Sequence, residues 1–406
     1  MRIALFTETF LPKIDGVVTV LCQALQRIQE QGHQAIVFGP PDMPASFAGA
    51  RCIGVGGPRF WLYPELRINL PRPRILRELR AFKPDVVHVV NPAFLGPTGI
   101  ALARLLKLPL MASSHMDIPA YTTNYVGEWG LPIAWWLFRT AHNIADINLA
   151  PSTHMVRTLR EHGYKRLRWW HRGVDTERFR PELRSQAMRS RLSNGHPEDF
   201  LAIYVGRISR EKNVPQLRQA LEQLPGVRLA MVGGGPEFDQ IRPIFDSTPT
   251  TFTGFLRDDE LVSAMASADV LIFPSTSETF GLAPLEAMAC GLPVVASMTG
   301  GLVDTLREGV NALIHRPNDP QSIAACVRQL QHDHVLHARL RTGALSHARA
   351  RKWQATMDQL LHYYTLTIRV HQQRGAGRHQ RQRFRDERIV IDRNNSRQVQ
   401  FDKTSR

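Results

Sequence analysis

The sequence has few cysteines and no long apolar run. The cysteines in its 406 residues number four, Cys22, Cys52, Cys290 and Cys326. They show neither metal-ligand spacing nor a paired framework, which argues against a disulfide-rich secreted domain and favours a reducing compartment. The longest apolar runs, such as residues 144–150, are far too short to span a bilayer, and residues 1–6 are too brief for a secretory signal. We therefore expect a cytoplasmic protein without a membrane-spanning helix.

Acidic residues are scarce relative to basic ones, and no Asp-x-Asp triplet occurs. The formal charge is +15, from 51 Lys and Arg against 36 Asp and Glu. Residues 369–406 contain eleven basic and four acidic residues, are rich in Gln and Asn, and have little apolar periodicity. This composition predicts a disordered basic tail.

The remaining positive charge falls into two clusters. The first comprises Arg67, Arg72, Arg74, Arg77 and Arg80, and the second Arg157, Arg160, Lys165, Arg166, Arg168 and Arg172. Tyr164, Trp169 and Trp170 are interleaved with the second cluster, which fits an anionic membrane surface with tryptophan at the headgroup level. A nucleic acid is the competing partner, and a solvated basic face is the simplest explanation.

Strand and helix patterns alternate along the chain in two rounds. The first round predicts strands at 2–7, 33–39, 85–90, 110–114 and 147–151, and helices at 17–31 and 74–82. The second predicts strands at 200–205, 228–232, 251–254, 270–274 and 293–296, and helices at 214–224, 259–267 and 285–289. Strands separated by helices imply right-handed βαβ units and parallel sheets. The polar connection at 175–199 separates two doubly wound halves, and we expect a ligand cleft between them.

Two glutamates near the carboxyl end of a predicted strand are the most informative pair in the chain. Glu278 follows the strand at 270–274, and Glu286 lies in the helix behind it. Open α/β sheets bind ligands at this edge, and carboxylates accept hydrogen bonds from the hydroxyls of a polyhydroxylated ligand. For the pair alone, two glutamates on a solvated helix face are an equally good explanation.

Six segments resemble the retaining glycosyltransferases of family 4, which have the GT-B fold. They are residues 10–17 (FLPKIDGV), 172–179 (RGVDTERF), 204–213 (YVGRISREKN), 232–236 (VGGGP) and 252–255 (FTGF), and the pair Glu278 and Glu286. The resemblance implies an α/β protein with two doubly wound Rossmann-like parallel-sheet domains facing a central cleft. The implied parts are an N-terminal acceptor-side domain at 1–172, a C-terminal nucleotide-sugar donor domain at 173–348, a crossover helix at 349–365 and the tail at 366–406.

The resemblance also implies roles for charged residues. Arg207 and Lys212 follow a strand end at a spacing that lets both reach one diphosphate, where they would neutralise the charge developing on departing UDP. Glu286 would bind the ribose of the nucleotide, Glu278 the donor sugar, and His115 would point at the transferred sugar. The lack of an Asp-x-Asp triplet agrees with side chains replacing a divalent ion, so we expect neither a metal nor another cofactor.

Glycines and one aromatic residue complete the expected donor site. Gly16 would let backbone amides approach the diphosphate or sugar, Gly233 and Gly234 would lie beside the nucleotide, and Phe255 near the uracil pocket. The chain departs from the family pattern at Val17, where many relatives have a second glycine. It departs again at Met116 and Asp117, which follow His115, and these departures leave the identity of the donor sugar open.

Within family 4 the resemblance is greatest to the sulfoquinovosyltransferases of sulfolipid synthesis, through residues 1–15, 63–66, 88–92 and 169–175. It implies a UDP-sugar donor, diacylglycerol or a similar lipid as acceptor, a peripheral position on the cytoplasmic face of an anionic membrane, and no nucleic acid. Apolar surface for the acceptor would come from Trp61, Tyr63, Trp129, Trp135 and Trp136. One alternative is another family 4 transferase that uses UDP-glucose, UDP-galactose or GDP-mannose on a lipid or polysaccharide. A remote alternative is a non-catalytic basic membrane or nucleic-acid adaptor.

Overall fold

Two parallel β-sheets, each flanked by helices, organise the chain. The structure, a computed structural model, describes residues 1–13, 15–57, 59–60, 63–67, 72–115, 122–123 and 127–376. The predicted α/β architecture of two doubly wound parallel sheets is confirmed. Met116, Asp117, Trp61, the side chain of Tyr63 and the tail from 377 lie outside the described residues.

The first sheet has eight strands in the order β10-β9-β8-β7-β1-β2-β4-β3. They are β1 (Arg2–Thr7), β2 (Gln34–Gly39), β3 (Ser46–Phe47), β4 (Ala50–Gly54), β7 (Val86–Val90), β8 (Leu110–Ser113), β9 (Ile147–Ala150) and β10 (Leu167–Trp169), and a separate hairpin contains β5 (Arg59–Phe60) and β6 (Tyr63–Arg67). All neighbours in the sheet are parallel except β3 and β4. Its central strands are buried on both faces, as β7 shows with every residue of Val-Val-His-Val-Val buried.

The second sheet has six parallel strands in the order β13-β12-β11-β14-β15-β16. They are β11 (Phe200–Val205), β12 (Val227–Val232), β13 (Thr250–Gly254), β14 (Val270–Phe273), β15 (Val294–Ala296) and β16 (Ala312–Ile314). The order reverses at β11 and β14, so the carboxyl ends of these two strands border the crevice where such sheets bind ligands.

Helices cover both sheets. They are α1 (Gly16–Glu30), α2 (Pro73–Phe82), α3 (Leu95–Leu105), α4 (Leu131–Ile144), α5 (Thr153–Glu161), α6 (Gln186–Leu192), α7 (Gln216–Leu221), α8 (Phe238–Ile241), α9 (Asp258–Ser267), α10 (Leu282–Ala289), α11 (Pro320–His332), α12 (His334–Arg349) and α13 (Trp353–Ala376). Local signals explain their starts: Asp15 caps α1 by accepting a hydrogen bond from the backbone N–H of Val18, and Asp319 caps α11 in the same way through Ser322. No helix in the described part of the chain combines the length and apolarity that a membrane span requires.

The last helix, α13, returns to the first sheet. Trp353, Met357, Leu360 and Tyr364 belong to the same core cluster as β1, β7 and α1. The helix continues to Ala376, past its predicted end at 365, and this corrects the predicted start of the tail. The physical reason is a buried carboxylate: Asp146 accepts from Arg374 at 2.6 Å and contacts His371 at 2.8 Å, which holds the last turns in place.

The aromatic residues of the second basic cluster are not on the surface. Tyr164 and Trp170 are buried, Trp169 is partly buried, and Arg172 lies in the interior as well. Their predicted place at a headgroup layer is therefore wrong, because their rings pack into the core of the domain built on the first sheet. We call this domain the first lobe, and the domain built on the second sheet the second lobe. Arg157, Arg160 and Lys165 are exposed, as predicted for a basic surface.

Candidate active site

A cavity of about 1020 Å³ lies between the carboxyl ends of the two sheets. Nine residues predicted for the site border it: Gly16, His115, Arg207, Lys212, Gly233, Gly234, Phe255, Glu278 and Glu286. Gly16 and His115 come from the first lobe and the other seven from the second. The structure thus brings together in one cleft residues that are more than 260 positions apart in the chain.

Lys212 and Glu278 form an ion pair in the wall of the cleft. Lys212 ends a short 3₁₀ turn, Arg210–Lys212, after β11, and its Nζ lies 2.7 Å from Oε2 of Glu278. Both side chains are largely buried, with 18% and 15% exposed. The backbone N–H of Thr279 donates to the other carboxylate oxygen at 3.1 Å. Glu278 is therefore oriented by its own loop, and Lys212 is held at a fixed place beside it.

Close backbone approaches explain the glycines beside β12. Gly233 has a φ of +135°, and a Cβ there would lie 2.0 Å from the carbonyl oxygen of Gly206. A Cβ on Gly234 would lie 2.7 Å from the ring of Phe255, which is 69% exposed. Only glycine fits at position 233, and at position 234 a side chain would displace the exposed ring of Phe255 at the rim of the cleft.

Glu286 is a half-buried carboxyl on the inner side of α10. Burial raises the pKa of Glu286 to about 7, and Arg178, which also borders the cleft, opposes this effect. At neutral pH the carboxyl is therefore near its midpoint and can both donate and accept hydrogen bonds.

The beginnings of α1 and α10 meet across the cleft. A Cβ on Gly16 would lie 3.3 Å from a methyl carbon of Leu282, the first residue of α10. A side chain at position 16 would therefore require the end of the Leu282 side chain to move by a few tenths of an ångström.

His115 is held by a buried cation. Nη2 of Arg172 lies 3.0 Å from Nδ1 of His115 and, since arginine can only donate, Nδ1 accepts. Burial, with the charge of Arg172 as the second cause, lowers the pKa of His115 well below its ordinary value. The imidazole is therefore neutral and carries its proton on Nε2, which donates to Oγ of Ser113 at 2.9 Å.

A chain of hydrogen bonds continues from His115 to the last helix. Oγ of Ser113 lies 2.9 Å from Nε2 of His88, and Nδ1 of His88 lies 2.9 Å from the hydroxyl of Tyr364 on α13. His88, Ser113 and Tyr364 are almost wholly buried, and burial lowers the pKa of His88 to about 3. A side chain at the cleft is thus connected to an element at the opposite end of the sequence.

Arg172 and Glu8 are among the cleft residues that were not identified from the sequence. Arg172 was assigned to a surface cluster, although the tryptophans beside it and the glycine after it were signals of an interior position. Glu8 gave no signal. Its Oε1 accepts from the backbone N–H groups of Phe94, Leu95 and Gly96 at 2.8, 2.7 and 3.0 Å, at the start of α3. Burial raises the pKa of Glu8 to about 7.

Comparisons with known proteins agree with this architecture. The family model described as Glycosyltransferase Family 4 matches residues 14–178, and the one described as Glycosyl transferases group 1 matches residues 189–347. The sulfoquinovosyl transferase of Arabidopsis thaliana is 36% identical over 368 residues, 88% of this chain and 72% of that protein. A GDP-mannose-dependent α-mannosyltransferase of Mycobacterium tuberculosis is 36% identical over 386 residues, 90% of this chain and 96% of that protein.

A solved structure shows the same fold at lower identity. Sucrose-phosphate synthase from Thermosynechococcus elongatus superposes with a TM-score of 0.74 at 21% identity, covering 91% of this chain and 99% of that one. These findings indicate one family. Both relatives are 36% identical to this chain, which covers most of their length, and two family models match. The solved structure has the same two-lobed fold. The chain therefore belongs to the GT-B glycosyltransferases of family 4, and it is a hexosyltransferase.

Proposed function

We propose that the protein transfers sulfoquinovose from a UDP donor to a hydroxyl of diacylglycerol or a similar lipid, with retention of configuration. The observation that carries the proposal is the 36% identity to the sulfoquinovosyl transferase of Arabidopsis thaliana over 88% of this chain. The cleft supports it, because it combines cations for a diphosphate with carboxylates for sugar and ribose hydroxyls.

In this proposal the bond between C1 of the sugar and the diphosphate oxygen breaks beside the second sheet. Lys212 and Arg207 stabilise the negative charge that develops on UDP, as preorganised cations do in a water-poor site. On donor binding, Lys212 exchanges its partner Glu278 for a phosphate oxygen, and Oε2 of Glu278 becomes free to accept from sugar hydroxyls. The acceptor hydroxyl attacks C1 from the side of the leaving group, and its proton passes to the departing phosphate oxygen.

The nucleotide lies on the β12 side of the cleft in this proposal. Glu286 accepts from the ribose hydroxyls, Gly233 and Gly234 allow the close approach of the nucleotide, and Phe255 offers its exposed ring to the uracil. Gly16, at the start of α1, brings backbone amides towards the diphosphate or sugar. No metal takes part.

A second donor has support of equal strength. The α-mannosyltransferase relative is named as GDP-mannose-dependent, and its identity to this chain is also 36%. Transfer of mannose from GDP-mannose is therefore the second candidate. The sugar subsite around His115 and the base pocket beside Phe255 are the discriminating features, because the ribose and diphosphate contacts serve either donor.

An exposed apolar face supports a membrane-bound acceptor. Trp129, Ile133, Trp136 and Leu137 recur at helical spacing on α4 and the turn before it, and more than half of each side chain is exposed. Trp135 of the same helix stacks on His162, with the two ring centres 3.7 Å apart. This contact places α4 beside the basic helix α5, which carries Arg157 and Arg160. We propose that this face lies in the interface of an anionic membrane on its cytoplasmic side.

The test is a donor screen on vesicles that contain diacylglycerol. Purified protein is supplied in turn with UDP-sulfoquinovose, UDP-glucose, UDP-galactose and GDP-mannose, and the lipid products are separated and weighed by mass spectrometry. We expect sulfoquinovosyl diacylglycerol, formed at the same rate in EDTA. Transfer from GDP-mannose alone would establish the second candidate, and loss of activity in EDTA with recovery on adding Mg²⁺ or Mn²⁺ would refute the metal-free mechanism.

A further inference from the structure

Arg172 is a buried cation that has no acidic partner among the residues the structure describes. Its side chain is almost wholly buried, at 2% exposure, yet it borders the cleft. Its contacts are neutral: the guanidinium donates to the carbonyl of Trp170 at 3.0 Å and to Nδ1 of His115 at 3.0 Å, and it lies 4.2 Å from the centre of the Trp170 ring.

A second buried arginine in the same chain shows what a structural arginine looks like in this fold. Arg189 is 7% exposed and forms a two-pronged pair with Asp269 at 2.8 and 3.1 Å. It also donates to three backbone carbonyls, of Pro197, Asp199 and Ser267. The donors of Arg189 are therefore used within the protein and its charge is balanced. Arg172 also donates within the protein, but it has no acidic partner among the described residues to balance its charge.

A buried unpaired charge is costly, and an anion in the cleft would remove that cost. Burial lowers the pKa of Arg172 to about 9, so the guanidinium stays charged at neutral pH. In the proposed mechanism the diphosphate belongs to Lys212 and Arg207 of the second lobe. Arg172 lies on the first-lobe side next to His115, the residue assigned to the transferred sugar, so the anion it suits is carried by the sugar.

We propose that Arg172 binds the sulfonate group of the donor sugar and makes the transferase selective for sulfoquinovose, an inference that rests on the proposed function. The planar guanidinium offers paired N–H groups to two oxygens of one sulfonate, an arrangement that a lysine ammonium does not reproduce. Trp170 fixes the plane of the guanidinium from one face. The interaction is charge-assisted and dry, so it discriminates strongly against a sugar with a neutral hydroxymethyl group at the same position.

The experiment compares two donors on the wild-type protein and on Arg172→Gln. Binding of UDP-sulfoquinovose and UDP-glucose is measured by calorimetry, and kcat/KM for each by transfer to diacylglycerol. We expect Arg172→Gln to lower the sulfoquinovose-to-glucose ratio about a hundredfold, the scale seen when one member of a buried charge pair is removed. Use of UDP-glucose falls as well, by a smaller factor, because His115 loses its donor.

Arg178→Gln is the matched control. Arg178 is also a cleft cation, but it lies on the Glu286 side and pairs with Asp258 at 3.4 Å. It should change use of the two donors by the same factor and leave their ratio unchanged. An equal loss with both donors in Arg172→Gln would overturn the sulfonate assignment while the transferase function stands. Arg172-dependent binding of UDP-sulfoquinovose without transfer would instead refute the proposed reaction and support the subsite.

Two further measurements keep the inference testable should Arg172→Gln fail to fold. In the wild-type protein, UDP-sulfoquinovose should bind at least tenfold more tightly than UDP-glucose, and equal affinities would overturn the assignment. Asp117, two positions after His115, is the carboxylate nearest to His115 in the sequence. Asp117→His exchanges an anion for a group that can carry positive charge, so it should preserve or raise the sulfoquinovose-to-glucose ratio, and a clear fall would contradict the proposal.

Discussion

Lys212 and Glu278 hold each other in fixed positions in the wall of the cleft. At 2.7 Å, with most of each side chain buried, each charge of the pair neutralises the other. Lys212 also lies 5.5 Å from the ring centre of Phe273, so its ammonium is held on two sides. In the proposed mechanism the diphosphate replaces Glu278 as the partner of Lys212, and a cation held in this way would need little reorganisation, which is the condition for strong electrostatic catalysis.

Lys212→Ala should lower kcat about a hundredfold or more at saturating donor, because one preorganised positive charge no longer faces the leaving group. The measurement is steady-state transfer with the proposed donor, with circular dichroism to confirm that the fold is kept. Lys165→Ala is the control, since that lysine is exposed and does not border the cleft. Near-wild-type turnover of the Lys212 variant would show that the lysine does not act on the leaving group.

Glu286 links the cleft to the pH dependence of stability. Its pKa in the folded protein, about 7, lies above the ordinary value of 4.5, so the folded state holds the proton more tightly than the unfolded chain. The resulting contribution to stability is complete below pH 4.5 and is lost as the pH rises through 7. Glu8 adds a contribution of the same sign, since burial raises its pKa to a similar value.

Glu286→Gln should therefore stabilise the ligand-free protein at pH 8 by on the order of 1–2 kcal/mol and leave it nearly unchanged at pH 5, because Gln mimics the protonated acid. Urea unfolding at the two pH values gives the two differences. The control is Glu128→Gln, at an exposed turn, which should have no effect at either pH. The same gain at both pH values would mean that the effect is packing rather than ionisation.

At the scale of elements, α13 both packs on the first lobe and takes part in a hydrogen-bond network that reaches the cleft. Its Tyr364 ends the hydrogen-bond chain that begins at Arg172 and passes through His115, Ser113 and His88. The neighbouring Tyr363 is also partly buried and donates its hydroxyl to the carbonyl of Trp169 at 2.8 Å, outside that chain. Variants of these two neighbouring tyrosines therefore test a positioning role for Tyr364 against a purely structural one.

Tyr364→Phe should lower kcat about tenfold with little change in the KM of the donor, because the loss of one buried partner costs 1–3 kcal/mol and loosens the support of His115. Tyr363→Phe loses a hydrogen bond of similar length and should cost comparable stability without the loss of turnover. Melting temperatures and initial rates of both variants are the measurements. Equal rates in the two variants would contradict a positioning role for Tyr364.

Much of the fold follows from local pattern, and the parts that do not have physical reasons. Strands such as Phe200–Val205 were predicted to the residue, since a buried parallel strand is a continuous apolar run. Helix Leu131–Ile144 is not predicted from the sequence. It presents tryptophan and leucine to solvent, whereas a helix is normally recognised by an apolar face that is buried. Helix Leu95–Leu105 was missed because its start is capped by Glu8 from a distant strand end.

The candidate site divides in the same way. Glu278 and Lys212 lie in motifs whose spacing could be read from the sequence, and the structure brings them to 2.7 Å. The part proposed for Arg172 could not be assigned, because it depends on the lack of an acidic partner in space among the described residues, and sequence spacing does not report that. The roles of these residues stay predictions until the variants above are measured.

At the scale of the whole molecule, the first lobe carries both exposed basic residues and the exposed apolar face of α4. Arg72, Arg74, Arg77 and Arg80 on and before α2 are exposed, as are the basic residues of α5. Exposed apolar groups would insert at the interface, while the cations attract anionic headgroups at about 1 kcal/mol each and are screened by salt.

Binding to vesicles should therefore rise with the fraction of anionic lipid and weaken between 0.05 and about 0.5 M salt, where the screening length falls from over 10 Å to a few ångströms. Trp136→Ser should lower the affinity about tenfold, and sedimentation with vesicles measures it. Val335→Ser is the control, an exposed apolar residue of the second lobe. Equal binding of neutral and anionic vesicles would refute the electrostatic part.

The return of α13 to the first lobe has a consequence for the order of events during synthesis. The apolar core of that lobe includes Trp353, Met357, Leu360 and Tyr364, and the indole N–H of Trp170 donates to the carbonyl of Thr356 at 3.0 Å. A nascent chain emerges from the ribosome amino end first, and a self-contained N-terminal domain folds while the rest is still being made. Here the core of the first lobe stays incomplete until α13, which follows the second lobe in the chain, has been made, so we expect the first lobe to finish folding only after the second has emerged.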